Sequence, residues 1–463
     1  MISIDFVYAP SKDKNENWSM EAPLGPLAVI SSLPQDLRKN VRFLDSTILT
    51  TTEIKQSLIQ RKADVVAFSC TTFNYEKSLD LADIAKKNGS TTVFGGIHIT
   101  YRWTQILAKM LAGKRPINFL IPNFGEPTFY PLIRSILGEI PITDVPGIMY
   151  INNGKSIIQN PKKVSRREDP LQEPLDFSLI DFPSYHKKYV GIGNLKNVSA
   201  PSSTYTERGC AYSGAVKCTF CSIEEINQKR SARLVSADVK TLVETYHADH
   251  IRINDGDFTA SLSHMKNMAV AIKTAVSDFE NPPSFYCFTR ADELNIERIE
   301  ILKSFNVCSV FIGYESGSKE MLKAMHKNTT PEQNLQATIL LKDYNIDVAC
   351  AGLVLGGVGE NQKTLDETLN FVQELSLVKN TVSLVATPLI PLPGAPDFNN
   401  LIKTIKIHNP SRGIELENED IFDLRELIEL WNRHFCSTSL SNVIQVSKQI
   451  EEIFPIGIRF LKM

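Results

Sequence analysis

Glu207-Arg-Gly-Cys210-Ala-Tyr-Ser-Gly-Ala-Val-Lys-Cys218-Thr-Phe-Cys221 is the stretch of this chain that carries three cysteines within twelve positions. Thiolates this close together are ligands for zinc or for an iron–sulfur cluster. A structural zinc site takes four protein ligands, and the next histidine, His247, lies well downstream in a helical pattern. Three thiolates on a four-iron cluster leave one iron without a protein ligand. The spacing therefore favours a cluster with one open iron, where a small molecule binds.

The chain has 463 residues, so we expect roughly two or three domains. Its net charge of −2 and its lack of a concentrated basic face predict no nucleic-acid or membrane partner. No apolar run approaches the length of a membrane span, and the N-terminus lacks the pattern of a secretory signal. The sequence thus predicts a cytoplasmic protein. Its other five cysteines are predicted to be buried core thiols: Cys70, Cys287, Cys308, Cys350 and Cys436.

Residues 1–139 alternate short apolar runs with amphipathic stretches, which predicts a Rossmann-like parallel sheet with crossover helices. One helix is expected from Glu76 to Lys87. Gly95-Gly96 follows a strand at the carboxyl edge of this sheet, where open α/β sheets bind ligands; a simple turn is the alternative. The predicted strands are Ile2 to Tyr8, Val41 to Leu44, Val65 to Ser69, Thr92 to Phe94 and Phe119 to Ile121.

Three further segments follow. Residues 140–200 carry prolines spaced through polar sequence, which indicates an interdomain linker. Residues 201–395 resume the α/β alternation and predict a partial barrel. Residues 396–463 are expected to be mostly helical, with an amphipathic helix from Asp420 to His434. The barrel strands are predicted at His250 to Asn254, Ser284 to Thr289, Ser309 to Ile312, Asp347 to Leu355 and Thr381 to Thr387.

The cysteine segment and the motifs after it resemble the radical S-adenosylmethionine (SAM) superfamily, in particular its subgroup with an N-terminal cobalamin-binding-type domain. The likeness covers residues 1–395. It implies an α/β fold: a Rossmann-like domain, a partial (β/α)6 TIM-like barrel and a short, mostly helical C-terminal segment. It also implies a [4Fe-4S] cluster on Cys210, Cys218 and Cys221. Their C-x7-C-x2-C spacing departs from the common C-x3-C-x2-C and is similar to that of peptide-maturing enzymes, including peptide C-methyltransferases.

The resemblance also implies SAM contacts at the ends of the barrel strands. Each motif alone has another interpretation, such as a helix cap, a surface acid or a turn. Their joint occurrence, in order, after the three cysteines favours a SAM site. One departure is Gly256, which stands where an acidic residue is common. The implied SAM-binding residues are Asp255, Arg290, Glu315, Gly356 and Gly359.

In the same way, the resemblance implies a cobalamin site on small and hydroxylated residues at strand ends of the first domain. The chain has no Asp-x-His-x-x-Gly motif, so a lower axial histidine is not expected, and His98 is expected to make loop contacts. The implied residues are Ser69, Thr71, Thr72, Tyr75, Gly95, Gly96, His98, Gly125 and Glu126.

The function implied is methylation of an unactivated carbon in a peptide or small-molecule natural product. Reductive cleavage of SAM at the cluster would give a 5′-deoxyadenosyl radical that abstracts hydrogen, and methylcobalamin would donate the methyl group. An external electron donor such as flavodoxin or ferredoxin would supply the electron. Two alternatives stay open: a non-methylating radical reaction such as epimerisation, cyclisation or rearrangement without cobalamin, and a non-enzymatic carrier with structural zinc. No catalytic side chain is assigned.

Overall fold

The computed structural model describes residues 2–11, 21–161, 169–189, 195–212, 214–224 and 226–454. The chain forms two compact units. Unit 1 comprises Met1–Lys188 and the short segment Asn418–Phe422, and unit 2 comprises Tyr189–Glu417 and Asp423–Met463. Both units are built on mainly parallel sheets with helices, which confirms the predicted α/β class.

The sheet of unit 1 has seven strands in the described residues: β1 Ile4–Tyr8, β2 Val41–Asp45, β3 Val65–Ser69, β4 Thr91–Gly95, β5 Phe119–Ile121, β6 Met149–Asn152 and β7 Ser156–Gln159. Their order is β2-β1-β3-β4-β5-β6-β7. The first five are parallel, and the last two join antiparallel. The strand order reverses between β1 and β3, so the loops after these strands open a crevice at the carboxyl edge of the sheet.

The helices of unit 1 are α1 Leu24–Ser31, α2 Gln35–Arg38, α3 Thr51–Arg61, α4 Tyr75–Lys87, α5 Ile97–Leu111, α6 Glu126–Ile136 and α7 Phe182–Lys188. Helix α3 begins with a capping box, in which the side chains of Thr50 and Glu53 accept each other's backbone N–H groups. One apolar core, containing Leu58 and Leu79, packs α3, α4 and α5 on the sheet. A second core, containing Ile30 and Phe129, packs α1 and α6. The sheet is therefore apolar on both faces, as parallel sheets require.

The predicted linker at residues 140–200 is wrong for its first part. Strands β6 and β7 extend the sheet of unit 1, and this unit continues to Lys188. The side chains of Ser156 and Ile157 are exposed because β7 is an edge strand, so the segment lacks the apolar alternation that marks a strand. The segment Asn418–Phe422, which the sequence assigned to the C-terminal region, also belongs to unit 1.

Among the described residues, the main sheet of unit 2 has six parallel strands: β8 Pro201–Thr204, β11 His250–Ile253, β12 Ser284–Thr289, β13 Val307–Glu315, β14 Asp347–Leu355 and β15 Leu384–Pro388. They are ordered β15-β14-β13-β12-β11-β8. A separate antiparallel pair is formed by β9 Glu207–Arg208 and β10 Gln228–Lys229. On β12, Phe285 and Cys287 are buried towards the helices, whereas Tyr286 and Phe288 are half-buried on the opposite face. We call that opposite face the inner face.

The helices of unit 2 are α8 Ala232–Tyr246, α9 Leu262–Ala275, α10 Ile296–Ser304, α11 Lys319–Ala324, α12 Pro331–Asp343, α13 Gln362–Val378, α14 Pro396–His408, α15 Pro410–Asn418, α16 Leu424–Phe435 and α17 Leu440–Ile453. The predicted helix from Asp420 begins later, because the Asp423 side chain caps α16 by accepting from the N–H groups of Arg425 and Glu426. Among the described residues, no helix has both the length and the apolarity of a membrane span.

The prediction that five cysteines are buried core thiols is confirmed for two of them. Cys70 and Cys287 are buried, whereas Cys308, Cys350 and Cys436 are half-buried. Cys308 and Cys350 occupy half-buried strand positions, and the Cys436 thiol lies at the end of α16. Apolar surroundings along the chain therefore did not guarantee burial at these three positions.

Candidate functional site

The segment that carries the three cysteines lies between strands β9 and β10. These two strands pair antiparallel, with Arg208 opposite Gln228, and so hold the segment at both ends. Gly209 follows β9 with φ +81°, and a Cβ there would lie 1.4 Å from the carbonyl oxygen of Ile226. Only glycine permits this approach. A Cβ at Gly256 would lie 2.6 Å from the carbonyl oxygen of Gly209. This contact explains why glycine replaces the acidic residue that is common at that position in the resembling family.

Lys217 holds the cysteine segment in place through hydrogen bonds of its buried ammonium group. Its side chain is buried, and its Nζ donates to the carbonyl oxygens of Ile223 and Gly394, each at 3.0 Å. The N–H of Thr219 donates to the carbonyl oxygen of Met325 at 3.1 Å. These bonds tie the segment to the loop that precedes α14 and to the end of α11.

The three thiols lie near one another. Burial raises the pKa of Cys210 to about 11, with smaller contributions from Asp257 and from the thiols of Cys221 and Cys218. Burial also raises the pKa of Cys221. In the described part of the chain, no three His, Cys, Asp or Glu side chains converge to hold a single metal ion. In a four-iron cluster held by three cysteines, each cysteine binds a different iron.

Arg290 brings a positive charge to the cysteines. Its guanidinium lies 3.9 Å from the centre of the Tyr212 ring, and its Nη1 is 3.9 Å from the Sγ of Cys218. The same guanidinium donates two hydrogen bonds of 3.0 Å to the carboxylate of Asp292 and another to the carbonyl oxygen of Lys327. The carboxylate that Arg290 meets in the described structure is therefore that of Asp292.

Asp255 lies two residues after the end of β11 and is buried against the start of the cysteine hairpin. Its carboxylate accepts from the N–H groups of Thr206 at 2.6 Å and Glu207 at 3.0 Å, and from the Thr206 hydroxyl. Burial raises its pKa to about 6. In this arrangement Asp255 positions the strand that leads to Cys210, and its contact with SAM stays a prediction.

Glu315 ends β13 and lies in a strained backbone conformation, with φ +62°. Its Oε1 is 2.9 Å from the Nζ of Lys327, and both side chains are buried. A Cβ at Gly313 would lie 2.1 Å from that same oxygen, so glycine makes room for the glutamate. The strain and the buried ion pair are consistent with a functional position.

Gly356 and Gly359 form the turn after β14, with φ +87° and +85°. The carbonyl oxygen of Gly356 accepts from the Trp431 indole at 2.7 Å, and its N–H donates to the carboxylate of Glu360 at 3.0 Å. The N–H of Gly359 donates to the carbonyl oxygen of Phe435. The turn is therefore held by α16, and its contact with adenine stays a prediction.

Sequence reasoning missed two buried carboxyl groups beside the cysteines. Asp257 has an Oδ2 atom with no hydrogen-bond partner in the described residues, and burial raises its pKa to about 6. Glu207 has an Oε1 atom without a partner there, and burial, then the charge of Asp255, raises its pKa to about 8. Glu207 opens the cysteine stretch quoted above, and Asp257 lies two positions after Asp255. The missing signal was their burial, which one sequence does not display.

The predicted cobalamin residues of unit 1 mostly meet at the carboxyl edge of its sheet. Ser69 and Gly95 are paired at the ends of β3 and β4. Gly96 has φ +97°, and a Cβ there would lie 2.6 Å from the carbonyl oxygen of Cys70. Asn74, which sequence reasoning missed, is buried and bridges these loops. Its side-chain oxygen accepts from the N–H of Thr71, and its side-chain nitrogen donates to the carbonyl oxygens of Ala9 and Ser69.

Both ring nitrogens of His98 have hydrogen-bond partners. Nδ1 lies 3.1 Å from the hydroxyl of Thr72, and Nε2 lies 2.9 Å from the carbonyl oxygen of Asp420. The ring also stacks on Tyr75, whose hydroxyl donates to the Asp420 carboxylate at 3.1 Å. Arg115 forms a two-pronged ion pair with the same carboxylate. His98 and Tyr75 thus hold the segment Asn418–Phe422 within unit 1, in agreement with loop contacts for His98.

The last two predicted cobalamin residues stand at the start of α6, next along the same edge. A Cβ at Gly125 would lie 2.7 Å from the side chain of Val29, so this glycine allows α1 and α6 to pack closely. Glu126 is buried. Thr71 and Thr72 are half-buried, which leaves their part of the edge able to meet a ligand.

Two family models match the chain. The B12 binding domain matches residues 21–113, and the radical SAM superfamily matches residues 206–372. The chain therefore carries a radical SAM domain and a B12-binding domain. The radical SAM match contains the three cysteines and all five predicted SAM residues, whereas Gly125 and Glu126 lie beyond the B12-binding match. A radical SAM domain implies a [4Fe-4S] cluster and SAM, and the B12-binding domain supports cobalamin.

Curated relatives of this chain are distant. An uncharacterized methyltransferase of Pyrococcus horikoshii is 23% identical over 77% of this chain and 74% of its own length. The 4′-phospho-dehydrooxetanocin synthase of Priestia megaterium is also 23% identical, over 76% of this chain and 48% of its own. The chain therefore spans about half the length of the second relative.

Solved structures share the fold of this chain. The radical SAM methyltransferase TsrM of Kitasatospora setae, solved with cobalamin and a [4Fe-4S] cluster, superposes with a TM-score of 0.69. It is 16% identical and covers 88% of this chain and 79% of its own. OxsB, a cobalamin-dependent SAM radical enzyme, has a TM-score of 0.64 at 18% identity, covering 97% and 62%.

Proposed function

We propose that this protein is a cobalamin-dependent radical SAM methyltransferase acting on an unactivated carbon of a small-molecule natural product or peptide. One observation carries the proposal: a radical SAM domain with a hairpin-held set of three cysteines shares a chain with a B12-binding domain. When bound, SAM at the cluster supplies an adenosyl radical and methylcobalamin supplies a methyl group.

In unit 2, the side chains prepare the cluster site. The glycine at position 209 and the ammonium of Lys217 set the path of the cysteine segment. The guanidinium of Arg290 places a positive charge next to the Cys218 thiol. The raised pKa of Cys210 means that loading the site releases a proton at neutral pH.

In unit 1, half-buried hydroxyls and glycines at one sheet edge fit a cofactor with polar amide groups. Ser69, Thr71 and Thr72 offer hydrogen-bonding groups there, and Gly95 and Gly96 keep the surface flat. Because both nitrogens of the nearby histidine are engaged, the cobalt of bound cobalamin would receive no ligand from it.

The test supplies the reconstituted protein with SAM whose methyl group carries deuterium, together with a chemical reductant and hydroxocobalamin. We expect three products: 5′-deoxyadenosine, labelled methylcobalamin and, with a competent substrate, a product heavier by one labelled methyl group. Mass spectrometry measures all three. Replacing the three cysteines with alanine should abolish 5′-deoxyadenosine, whereas Cys308→Ala, a half-buried thiol outside the segment, should preserve it.

A second candidate is a non-methylating radical reaction, favoured by the printed activities of two relatives, a synthase and an anaerobic magnesium-protoporphyrin IX monomethyl ester cyclase of Rubrivivax gelatinosus. Neither printed name is that of a methyltransferase. Formation of 5′-deoxyadenosine without labelled methylcobalamin would contradict the methyltransferase proposal and support this candidate.

A further inference from the structure

The inner face of the unit 2 sheet carries an aromatic surface. It is formed by Tyr286 and Phe288 on β12 and Phe311 on β13, all half-buried. The Tyr286 and Phe288 ring centroids are 5.8 Å apart, and those of Phe288 and Phe311 are 5.0 Å apart. On β14, a Cβ at Gly352 would lie 3.2 Å from the Phe311 ring. The absence of a side chain at position 352 therefore leaves space for this ring. Three rings thus form one continuous surface over neighbouring strands.

A positive charge lies on this surface. The guanidinium of Arg252, on β11, is 4.8 Å from the centre of the Phe288 ring and 5.8 Å from that of Tyr286. Its Nη2 donates to the amide oxygen of Asn254 at 3.2 Å. Stacking uses the flat face of a guanidinium, whereas recognition of a carboxylate or phosphate uses its N–H edge. The two interactions are therefore compatible on one arginine.

The charge of Arg252 reaches across the inner face. It opposes the burial-driven rise in the pKa of Cys350, which lies on β14. Strands β12 and β13, which carry the three rings, lie between β11 and β14 in the sheet.

The aromatic surface adjoins the cysteine segment along β12. Arg290 lies two residues after Phe288, and its Nη1 is 3.9 Å from the Sγ of Cys218. A molecule lying on the Phe288 ring would therefore be bound next to the candidate cluster site.

We propose that this inner face binds the substrate, and that Arg252 recognises a carboxylate or phosphate on a molecule whose flat apolar part lies on Phe288 and Phe311. The proposal rests on the proposed function, because it assigns the substrate class of that same site. It selects an anionic molecule with an aromatic or similarly flat apolar group over a neutral one.

Binding of two matched probes tests the proposal without requiring turnover. Naphthoate and its neutral amide, naphthamide, are titrated into the protein reconstituted with iron, sulfide and hydroxocobalamin, and free probe is measured by equilibrium dialysis. We expect naphthoate to bind about tenfold more tightly or better, the size expected for a charge-assisted pair. Arg252→Gln should remove this preference and leave naphthamide binding unchanged. Arg233→Gln, an exposed arginine on α8, is the matched control and should change neither.

Phe311→Leu provides a second variant. It should weaken both probes by a similar factor and keep their ratio, because the ring contributes stacking but no charge. Iron content and the thermal midpoint confirm that each variant is folded. Equal binding of the two probes, binding of neither, or a preference that persists in Arg252→Gln would overturn the proposal. These outcomes are independent of SAM cleavage, so loss of cleavage with an intact naphthoate preference would contradict the proposed function alone.

Discussion

The backbone at Gly209 has φ +81°, and the carbonyl oxygen of Ile226 occupies the space where a side chain would begin. Gly209→Ala should therefore displace Cys210, and we expect the reconstituted variant to keep less than about half of the wild-type iron. Gly214 is the matched control, since its φ is +64° but nothing lies within 4 Å of its Cβ position. Gly214→Ala should cost about 1 kcal/mol and retain iron. Equal iron loss in both variants would contradict this account.

Lys217 offers a second test at the level of one residue. Its Nζ donates to two carbonyl oxygens from a buried position, so Lys217→Met should cost about 2 kcal/mol and loosen the cysteine segment. We expect iron to leave this variant several-fold faster on exposure to a chelator, which absorbance spectroscopy follows. Lys240→Met, an exposed lysine on α8, should release iron at the wild-type rate. If Lys217→Met released iron as slowly as the wild type, Lys217 would not be needed to hold the cysteine segment.

Individual residue types were predicted from the sequence where chemistry requires them, and less well where burial decides. The three cysteines stand out because few other residues bind iron. Asp255 was predicted to follow a strand, and it does, but its hydrogen bonds to Thr206 and Glu207 depend on a hairpin that one sequence does not reveal. The buried Asp257 lies two positions further on and was not singled out for the same reason.

Among the elements, α5 carries a pH-sensitive group, His98. Burial lowers the pKa of His98 to about 4, compared with about 6.5 in an unfolded chain. Between these pH values the unfolded state binds a proton that the folded state does not, so this stability is lost as the pH falls. We expect His98 to destabilise unit 1 by about 2 kcal/mol between pH 7 and pH 5. The buried carboxyl group of Asp45, whose pKa burial raises to about 6, acts in the opposite direction.

The variant His98→Gln isolates the histidine, because Asp45 is unchanged in it. We expect the thermal midpoint of the wild type to fall more between pH 7 and pH 5 than that of His98→Gln, as measured by circular dichroism. His408→Gln, an exposed histidine at the end of α14, should behave like the wild type. If the thermal midpoints of the wild type and of His98→Gln fell equally between pH 7 and pH 5, the His98 ring would have the same pKa in the folded and unfolded chain.

Strands with buried side chains were predicted well from the sequence. The predicted bounds of Val65 to Ser69, Ser284 to Thr289 and Asp347 to Leu355 match β3, β12 and β14. Strand β7 was missed because it lies at an edge with exposed side chains. Strands β9 and β10 were missed because each is two residues long, too short for a periodic pattern.

For the whole molecule, the sequence predicted two α/β regions, and both are present. It did not predict that Asn418–Phe422 belongs to unit 1. That assignment depends on the ion pair between Arg115 and Asp420 and on the Tyr75 hydroxyl, which join residues hundreds of positions apart. Local patterns do not encode such contacts, whereas periodic burial and ligand chemistry are visible in the residues themselves.

The most direct test of the central claim is a count of iron, sulfide and cobalt in one sample. The protein is purified without oxygen, reconstituted with iron, sulfide and hydroxocobalamin, and freed of excess reagents before analysis. The account predicts about four irons and about one cobalt per chain, with the iron lost when the three cysteines are replaced. Four irons without retained cobalt would contradict the cobalamin-dependent mechanism, and absence of iron would contradict the radical SAM assignment itself.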